Sequence, residues 1–477
     1  PERGTAVNAA YPFGREMEPF AARFLIRGGV LMKRLQTSVW FLLIVAIAGC
    51  AGRPVDQILL MPAPDVYEEG KIDPFIDNDP IVQSGLPGVL YATDRAPASD
   101  GDRKFTYYSD RRANVLRLGM ANVQLGVSQE ITWEEARRIS LLKNRTTSYP
   151  LKVTGIEEFG ALARTVRPLN DSIEPHPEPG DRFAREINKR LERSSPSHKD
   201  VFIYVHGYKV AFENPVLVAS ELWHFLGYQG AFIAYAWPSG TKRLAYFSDL
   251  DDAVNSARSL RGLILHIAEN TNARRIHLVG YSAGTQVVSR TLADLGMYGF
   301  LLDDDEIDRR VKLGNVILVG SDVDRDILGG YLIDGALRIP DALTIYQSSA
   351  DAALGVAAFL LGRPRSGQTF DASASFGPRV IRFLKKSPNL RIIDVTDAEG
   401  GTSGNGHSYF RTSPWVSSDI LLTLLYDLTP EKRGLVLTES IIPVWTFPPD
   451  YIDRLRRVLA ETNPDLAAGG GSANVED

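Results

Sequence analysis

The sequence has very little of what several common classes of protein require. Among its 477 residues there is one cysteine, so no disulfide bond can form within the chain. The seven histidines are scattered without a metal-ligand spacing such as H-E-x-x-H, so we predict no metal site and no other cofactor. The formal net charge is −5 and the isoelectric point is about 5.9, which gives no reason to expect nucleic-acid binding. The composition, 44% hydrophobic and 23% charged, is that of an ordinary globular protein.

The single cysteine, Cys50, ends a segment that has the order of a secretory signal. Lys33 and Arg34 precede the apolar run of residues 39–47, and small residues lead from that run to the cysteine. The run is too short to span a bilayer comfortably. Residues 47–50, Ile-Ala-Gly-Cys, resemble a bacterial lipobox, which implies that Cys50 is lipidated and becomes the mature N-terminus. An ordinary cleaved signal peptide and a buried first helix are the alternatives.

The segments that precede and follow the predicted domain can be assigned from these features. Residues 1–31 are predicted to be an upstream extension, for which a wrongly assigned start is one explanation, and residues 32–50 are predicted to be a lipoprotein signal peptide. By resemblance to sorted lipoproteins, Ala51 favours the outer membrane, so the expected location is the bacterial cell envelope, lipid-anchored and facing the periplasm. Residues 51–80, rich in Pro, Asp and Gly without periodicity, are predicted to be a flexible tether. The Gly-rich residues 466–477 are predicted to be a disordered tail.

Residues 81–465 are predicted to form one α/β domain. Its first part, residues 81–150, is β-rich because the apolar runs 88–95 and 113–125 have strand character and are expected to pair. Further strands are predicted at residues 201–205, 230–236, 276–279, 311–319, 343–346 and 390–395. Helical patterns separate several of these runs, and such βα repeats indicate a doubly wound, mostly parallel sheet with helices on both faces. Ligands bind at the carboxyl ends of the strands in sheets of this kind.

The pentapeptide Gly-Tyr-Ser-Ala-Gly at residues 280–284 has the G-x-S-x-G pattern of a nucleophile elbow. The pattern alone is common by chance, but its context agrees. An apolar run ending at Val279 precedes it, and a helical pattern with Val287, Val288 and Leu292 follows. The sequence therefore predicts a strained strand-to-helix turn that presents the Ser282 hydroxyl as a nucleophile.

A serine nucleophile needs a base, and the base needs an acid that orients it. In this fold the chain order is Ser, then Asp or Glu, then His. Only His407 follows Ser282, and it lies in a glycine-rich loop after a predicted strand, so we predict that it is the base. Asp351, in the loop after the strand 343–346, is the preferred acid. Asp322, in the loop after the preceding strand, is the alternative.

The negative charge that develops on the substrate needs two backbone N–H donors. Ala283, the residue after the nucleophile, is predicted to supply one. The second is expected from the loop after strand 201–205, where Tyr208 is the first candidate and Lys209 the alternative. We expect His206 to support this loop and not to transfer protons.

Six segments of the chain resemble the bacterial alpha/beta-hydrolase family of unknown function, over roughly residues 85–430. They are residues 91–95 (Tyr-Ala-Thr-Asp-Arg), 205–208 (Val-His-Gly-Tyr), 236–239 (Ala-Trp-Pro-Ser), 280–284, 315–324 and 406–410. The family's elbow often has His-Ser-Met where this chain has Tyr281, Ser282 and Ala283. The resemblance implies the alpha/beta-hydrolase fold and a serine hydrolase, and it supplies no substrate.

The function predicted from these features is a membrane-tethered serine hydrolase. It would cleave an ester or thioester of a small-molecule or lipid acyl substrate through an acyl-enzyme intermediate on Ser282. An acyltransferase with the same triad and a non-enzymatic envelope lipoprotein that retains the fold are the alternatives. The apolar residues 354–361 could line an acyl pocket, act as a lid or form a core helix. Acyl-chain preference and oligomeric state are left open.

Overall fold

A large β-sheet organises the part of the chain that the structure describes. The structure is a computed structural model that describes residues 57–70, 74, 88–126, 132–166, 174–240, 246–355, 364–369, 378–402 and 406–462. The strands are β1 Gln57–Leu59, β2 Val89–Pro97, β3 Tyr108–Leu125, β4 Pro150–Ala161, β5 Val201–Val205, β6 Ala231–Ala236, β7 Ile276–Tyr281, β8 Leu313–Val319, β9 Ala342–Gln347, β10 Leu390–Asp394, β11 Val436–Leu437 and β12 Val444–Thr446.

The helices follow the strands at intervals typical of βα units. They are α1 Trp133–Ser140, α2 Glu178–Leu191, α3 Glu213–Phe225, α4 Tyr246–Asn270, α5 Gly284–Tyr298, α6 Asp304–Val311, α7 Arg325–Ile333, α8 Pro378–Lys386, α9 Tyr409–Thr412, α10 Pro414–Tyr426 and α11 Tyr451–Thr462. Thr132 caps α1, as its position before Glu134 and Glu135 predicts, and its side chain accepts a hydrogen bond from the N–H of Glu135.

The strands join in the order β1-β4-β3-β2-β6-β5-β7-β8-β9-β10-β12-β11. The central run from β2 to β12 is parallel, and antiparallel pairs extend it at both edges. The predicted pairing of the two N-terminal runs is present as β2 with β3. The fold class is therefore confirmed: a doubly wound, mostly parallel sheet with an additional β-rich N-terminal segment.

Two large hydrophobic cores cover the two faces of the sheet. The side chains of β5 show how one strand contributes to both cores. All five of its residues are buried. Successive side chains of a strand point to opposite faces, so Val201, Ile203 and Val205 join one core while Phe202 and Tyr204 join the other. Helices α2, α4 and α5 pack on the first face, and α3, α10 and α11 on the second. A strand buried on both faces reads as a continuous apolar run.

Part of the predicted flexible tether is folded. Within residues 51–80, β1 pairs with β4, and a 3-10 helix at Asp65–Gly70 follows it. Ile58, Val66 and Tyr67 are buried, and the Tyr67 hydroxyl donates to the carbonyl of Phe225 at 2.9 Å. These apolar residues lie on a three-residue strand and a six-residue 3-10 helix, which are too short to show a period, and this is why the sequence did not indicate their burial.

Several predictions fall outside the described residues. The extension 1–31, the signal peptide 32–50 with Cys50, and the tail 466–477 are among them. Among the helices that the structure describes, none is long and apolar enough to cross a membrane.

Candidate active site

The turn after β7 places Ser282 in a left-handed backbone conformation, with φ at 51°. For a residue with a Cβ this conformation is uncommon and strained. The N–H of Ser282 donates to the carbonyl of Val319 on the neighbouring β8 at 2.9 Å, which holds the turn in place. A Cβ on Gly284 would lie 2.3 Å from the carbonyl oxygen of His206, so this position accepts only glycine. The predicted strand-to-helix turn is thus present in the structure.

The structure brings Ser282, His407 and Asp351 together. The Ser282 Oγ lies 2.8 Å from Nε2 of His407, and Nδ1 of the same ring lies 2.7 Å from Oδ2 of Asp351. The ring can donate its Nδ1 proton to the carboxylate while Nε2 accepts from the serine hydroxyl, as nucleophilic catalysis by serine requires. Asp351 is 4% exposed and His407 is 8% exposed, so water screens these charges little.

The alternative acid, Asp322, has a different partner. Its Oδ1 lies 3.5 Å from Nε of Arg365, and both side chains are buried. Its backbone carbonyl accepts a hydrogen bond from the Gln286 side chain at 2.7 Å, which ties the loop after β8 to α5. Asp322 therefore belongs to a buried ion pair and not to the hydrogen-bond chain of Ser282.

Gly320 and Tyr409, which sequence reasoning assigned no role, shape the surroundings of the histidine. Gly320 has φ at +53°, and a Cβ there would lie 3.0 Å from Cε1 of His407. The Tyr409 hydroxyl accepts from the N–H of Gly320 at 2.7 Å and donates to the carbonyl of Tyr346 at 3.0 Å. Burial, and then the charge of Asp351, raises the pKa of Tyr409 well above its ordinary value, so it stays a neutral donor. Its position two residues after His407 was the available sequence signal.

Two segments that contain the predicted oxyanion-hole residues lie next to Ser282. Ala283 is the N-terminal cap residue of α5, and a Cβ on Gly207 would lie 2.9 Å from the Cβ of Ser282. Tyr208 and Lys209 therefore follow a residue in close contact with the serine. His206 is fully buried, and its Nδ1 lies 2.7 Å from the carbonyl oxygen of Gly207, consistent with the expected supporting role.

The apolar segment 354–361 lies mostly outside the described residues. Leu354 is buried, and its N–H donates to Oδ1 of Asp351 at 3.0 Å. Among the residues that the structure describes, no group of three or more His, Cys, Asp and Glu side chains could hold a metal ion.

The parallel sheet and the strained serine turn at its carboxyl edge define the alpha/beta-hydrolase class. Comparison with known sequences agrees: the profile of the alpha/beta hydrolases of unknown function (DUF900) matches residues 181–424, slightly more than half of the chain. The chain belongs to this family. The matched region contains Ser282, Asp351 and His407 and supports a hydrolase-type function.

Comparison with individual relatives gives little further information about function. The uncharacterized protein alr1448 of Nostoc sp. (strain PCC 7120) is 32% identical over 82 residues, which is 17% of this chain and 21% of that protein. The match thus spans about a fifth of the relative's length. No solved structure matches the chain.

Proposed function

We propose that this protein is a serine hydrolase that cleaves an ester or thioester through an acyl-enzyme intermediate on Ser282. The observation that carries the proposal is the hydrogen-bond chain from Asp351 through His407 to Ser282, with the serine in a left-handed turn. Membership of an alpha/beta-hydrolase family supports hydrolysis as the general activity.

In the proposed reaction, Nε2 of His407 takes the proton of Ser282 as its Oγ attacks the carbonyl carbon of the substrate. The carboxylate of Asp351 stabilises the protonated ring, and the N–H groups of Ala283 and Tyr208 stabilise the oxyanion. His407 then protonates the leaving alcohol or thiol, which departs and leaves the acyl group on Ser282. A water molecule, deprotonated by the same ring, releases the acid and restores the serine.

Labelling of the full chain with a fluorophosphonate tests the nucleophile, and a panel of acyl esters of increasing chain length tests the activity. We expect the label on the peptide that contains Ser282, and hydrolysis of at least one ester. Adding glycerol to the assay distinguishes hydrolysis from acyl transfer, since a transferase would form the glycerol ester. Absence of both labelling and turnover would favour a non-enzymatic role.

We further propose that Cys50 anchors the protein to the bacterial envelope, with the folded domain in the periplasm at the outer membrane. The support is the lipobox-like segment at residues 47–50 together with the absence of any other cysteine. The described fold begins at Gln57, seven positions later. Metabolic labelling with a radioactive fatty acid should mark the wild type and not Cys50→Ser, and a labelled variant would contradict the anchor.

A further inference from the structure

A buried arginine at the end of β2 lies beside the loop that follows β5. Arg95 is 0% exposed, and it belongs to the motif at residues 91–95, which has no role in the proposed reaction. Its Nε donates to the carbonyl of Trp237 at 2.9 Å, and its Nη2 donates to the carbonyl of Val210 at 2.9 Å. The same Nη2 lies 3.3 Å from Nε2 of His206. One guanidinium therefore contacts the loop after β5 at two points and the loop after β6 at two more, the second being the Ser239 hydroxyl, 3.4 Å from Nη2.

Both ring nitrogens of His206 have partners near this loop. Its Nδ1 lies 2.7 Å from the carbonyl oxygen of Gly207, and its Nε2 lies 3.1 Å from the carbonyl oxygen of Trp237 and 3.3 Å from Nη2 of Arg95. Burial, and then the charge of Arg95, holds the pKa of His206 well below its ordinary value, which agrees with a neutral ring. The ring stacks on Trp237, with centroids 5.5 Å apart, and the indole N–H donates to the carbonyl of His206 at 2.7 Å. His206, the first residue of the loop, is thus contacted by both Arg95 and Trp237.

Between these fixed points lie Gly207, Tyr208 and Lys209. Gly207 is in close contact with Ser282, and Lys209 has φ at 61°, so the chain turns sharply before Val210. Tyr208 lies at the centre of this turn. The backbone carbonyls of His206 and Val210, on either side of it in the chain, accept hydrogen bonds from Trp237 and Arg95.

We propose that Arg95 is a positioning residue for the oxyanion hole: it holds both ends of the loop 206–210 and so directs the N–H of Tyr208. This inference rests on the proposed function. A guanidinium suits the task because its planar fork offers several donors in fixed directions, whereas the ammonium of lysine is a single point of charge. Donors aimed before the reaction begins stabilise the developing charge without reorganisation, and losing one costs about 10²–10³ in kcat.

The test is the variant Arg95→Lys, which keeps the charge and loses the fork. We expect kcat for an ester substrate to fall about 10- to 100-fold, because the Tyr208 N–H is misdirected and not removed. We expect KM to change less than about threefold and the midpoint of the pH–kcat profile to stay in place, since His407 and Asp351 are untouched.

Arg190→Lys is the matched control, because Arg190 lies on helix α2 and contacts the residue just before the start of β2. Arg190 is largely buried and donates to the carbonyls of Gly88 at 3.0 Å and Glu186 at 2.8 Å, so it too binds backbone oxygens. We expect this variant to melt at a lower temperature with kcat unchanged. A folded Arg95→Lys with wild-type kcat, or an equal loss of kcat in Arg190→Lys, would overturn the positioning role.

If Arg95→Lys does not fold, Trp237→Phe tests the same loop. It keeps a ring for His206 to stack on and removes the N–H that holds the His206 carbonyl, so kcat should fall several-fold at unchanged KM. Wild-type kcat in that variant would overturn the inference. A wild-type protein with neither esterase activity nor probe labelling would instead refute the proposed function, and this inference with it.

Discussion

Ser282 and Ser140 are each hydrogen-bonded to Nε2 of a histidine, and their surroundings differ in every other respect. The partner of Ser282 is His407, whose second nitrogen faces the carboxylate of Asp351. The partner of Ser140 is His224, whose Nδ1 lies 2.7 Å from the hydroxyl of Tyr228. A carboxylate stabilises a protonated imidazole far better than a neutral hydroxyl does, and the proposed mechanism depends on this difference.

Burial separates the two pairs further. Ser140 and His224 are both 0% exposed, and burial, with a smaller contribution from the charge of Arg145, lowers the pKa of His224 to about 3. Ser282 is only partly buried, and its turn directs the hydroxyl away from the strand, whereas Ser140 ends the helix α1. A serine–histidine contact is therefore a poor indicator of catalysis unless a charge partner, access and an exposed turn accompany it.

The largest expected effect comes from removing each serine hydroxyl in turn. Ser282→Ala should lower kcat by roughly 10⁴-fold or more and abolish fluorophosphonate labelling, because no nucleophile remains. Ser140→Ala is the matched control and should retain kcat within about twofold, at a cost of about 1 kcal/mol in the free energy of unfolding. Ester hydrolysis and thermal melting measure both. Residual labelling of Ser282→Ala would place the nucleophile elsewhere.

The second effect distinguishes the two aspartates. Asp351→Asn should lose at least about 100-fold in kcat with little change in melting temperature, because the amide can present an N–H where His407 needs an acceptor. Asp322→Asn should keep its kcat and lose roughly 1–3 kcal/mol of stability, since Arg365 retains a buried charge without its counter-ion. If Asp322→Asn is the inactive variant, the acid belongs to the loop after β8.

The smallest expected effect concerns the buried Ser140–His224 pair. It is measured as the change in the free energy of unfolding with pH. His224 has a folded-state pKa of about 3, below its ordinary value of 6.5, so the unfolded chain binds its proton first as the pH falls. The contribution of neutral His224 to the free energy of unfolding is therefore fully present above pH 6.5 and is lost as the pH falls towards 3. Between pH 7 and pH 4.5 the loss from this residue is about 3 kcal/mol. Denaturant unfolding of wild type and His224→Gln at both values checks it, and equal losses in the two proteins would contradict it.

Secondary structure was most predictable where burial was continuous. Predicted strand 201–205 is β5 without change, because a strand buried on both faces is apolar throughout. The strand predicted at residues 113–125 instead begins at Tyr108, since Arg111 and Arg112 at its start are exposed. Helix α4 begins at Tyr246, four residues before Leu250, where the apolar helical period of the sequence begins. The hydrophobic period identifies an element, but the pattern does not extend to the residues at the ends of that element.

The candidate site likewise has residues that the sequence predicts and residues that it does not. The elbow was readable because the G-x-S-x-G spacing is visible along the chain, although it is the carbonyl of the distant His206 that leaves no room for a Cβ at residue 284. His407 was identifiable because no other histidine follows Ser282. Tyr409 and Arg95 were not assigned roles, because a buried tyrosine or arginine has no distinctive spacing in sequence. Their contacts join residues that are distant along the chain, as with Arg95 and His206, which are 111 positions apart.

The sequence by itself determined the doubly wound fold and the identity of the serine turn, since hydrophobic period and glycine spacing are local properties. Only the tertiary structure distinguishes the surroundings of Asp351 from those of Asp322, because both residues follow neighbouring parallel strands and lie at the same edge of the sheet. There, loop direction places one beside His407 and the other beside Arg365. It also decided that residues 57–70 fold, because their apolar side chains are buried only once α3 and β4 are in place beside them.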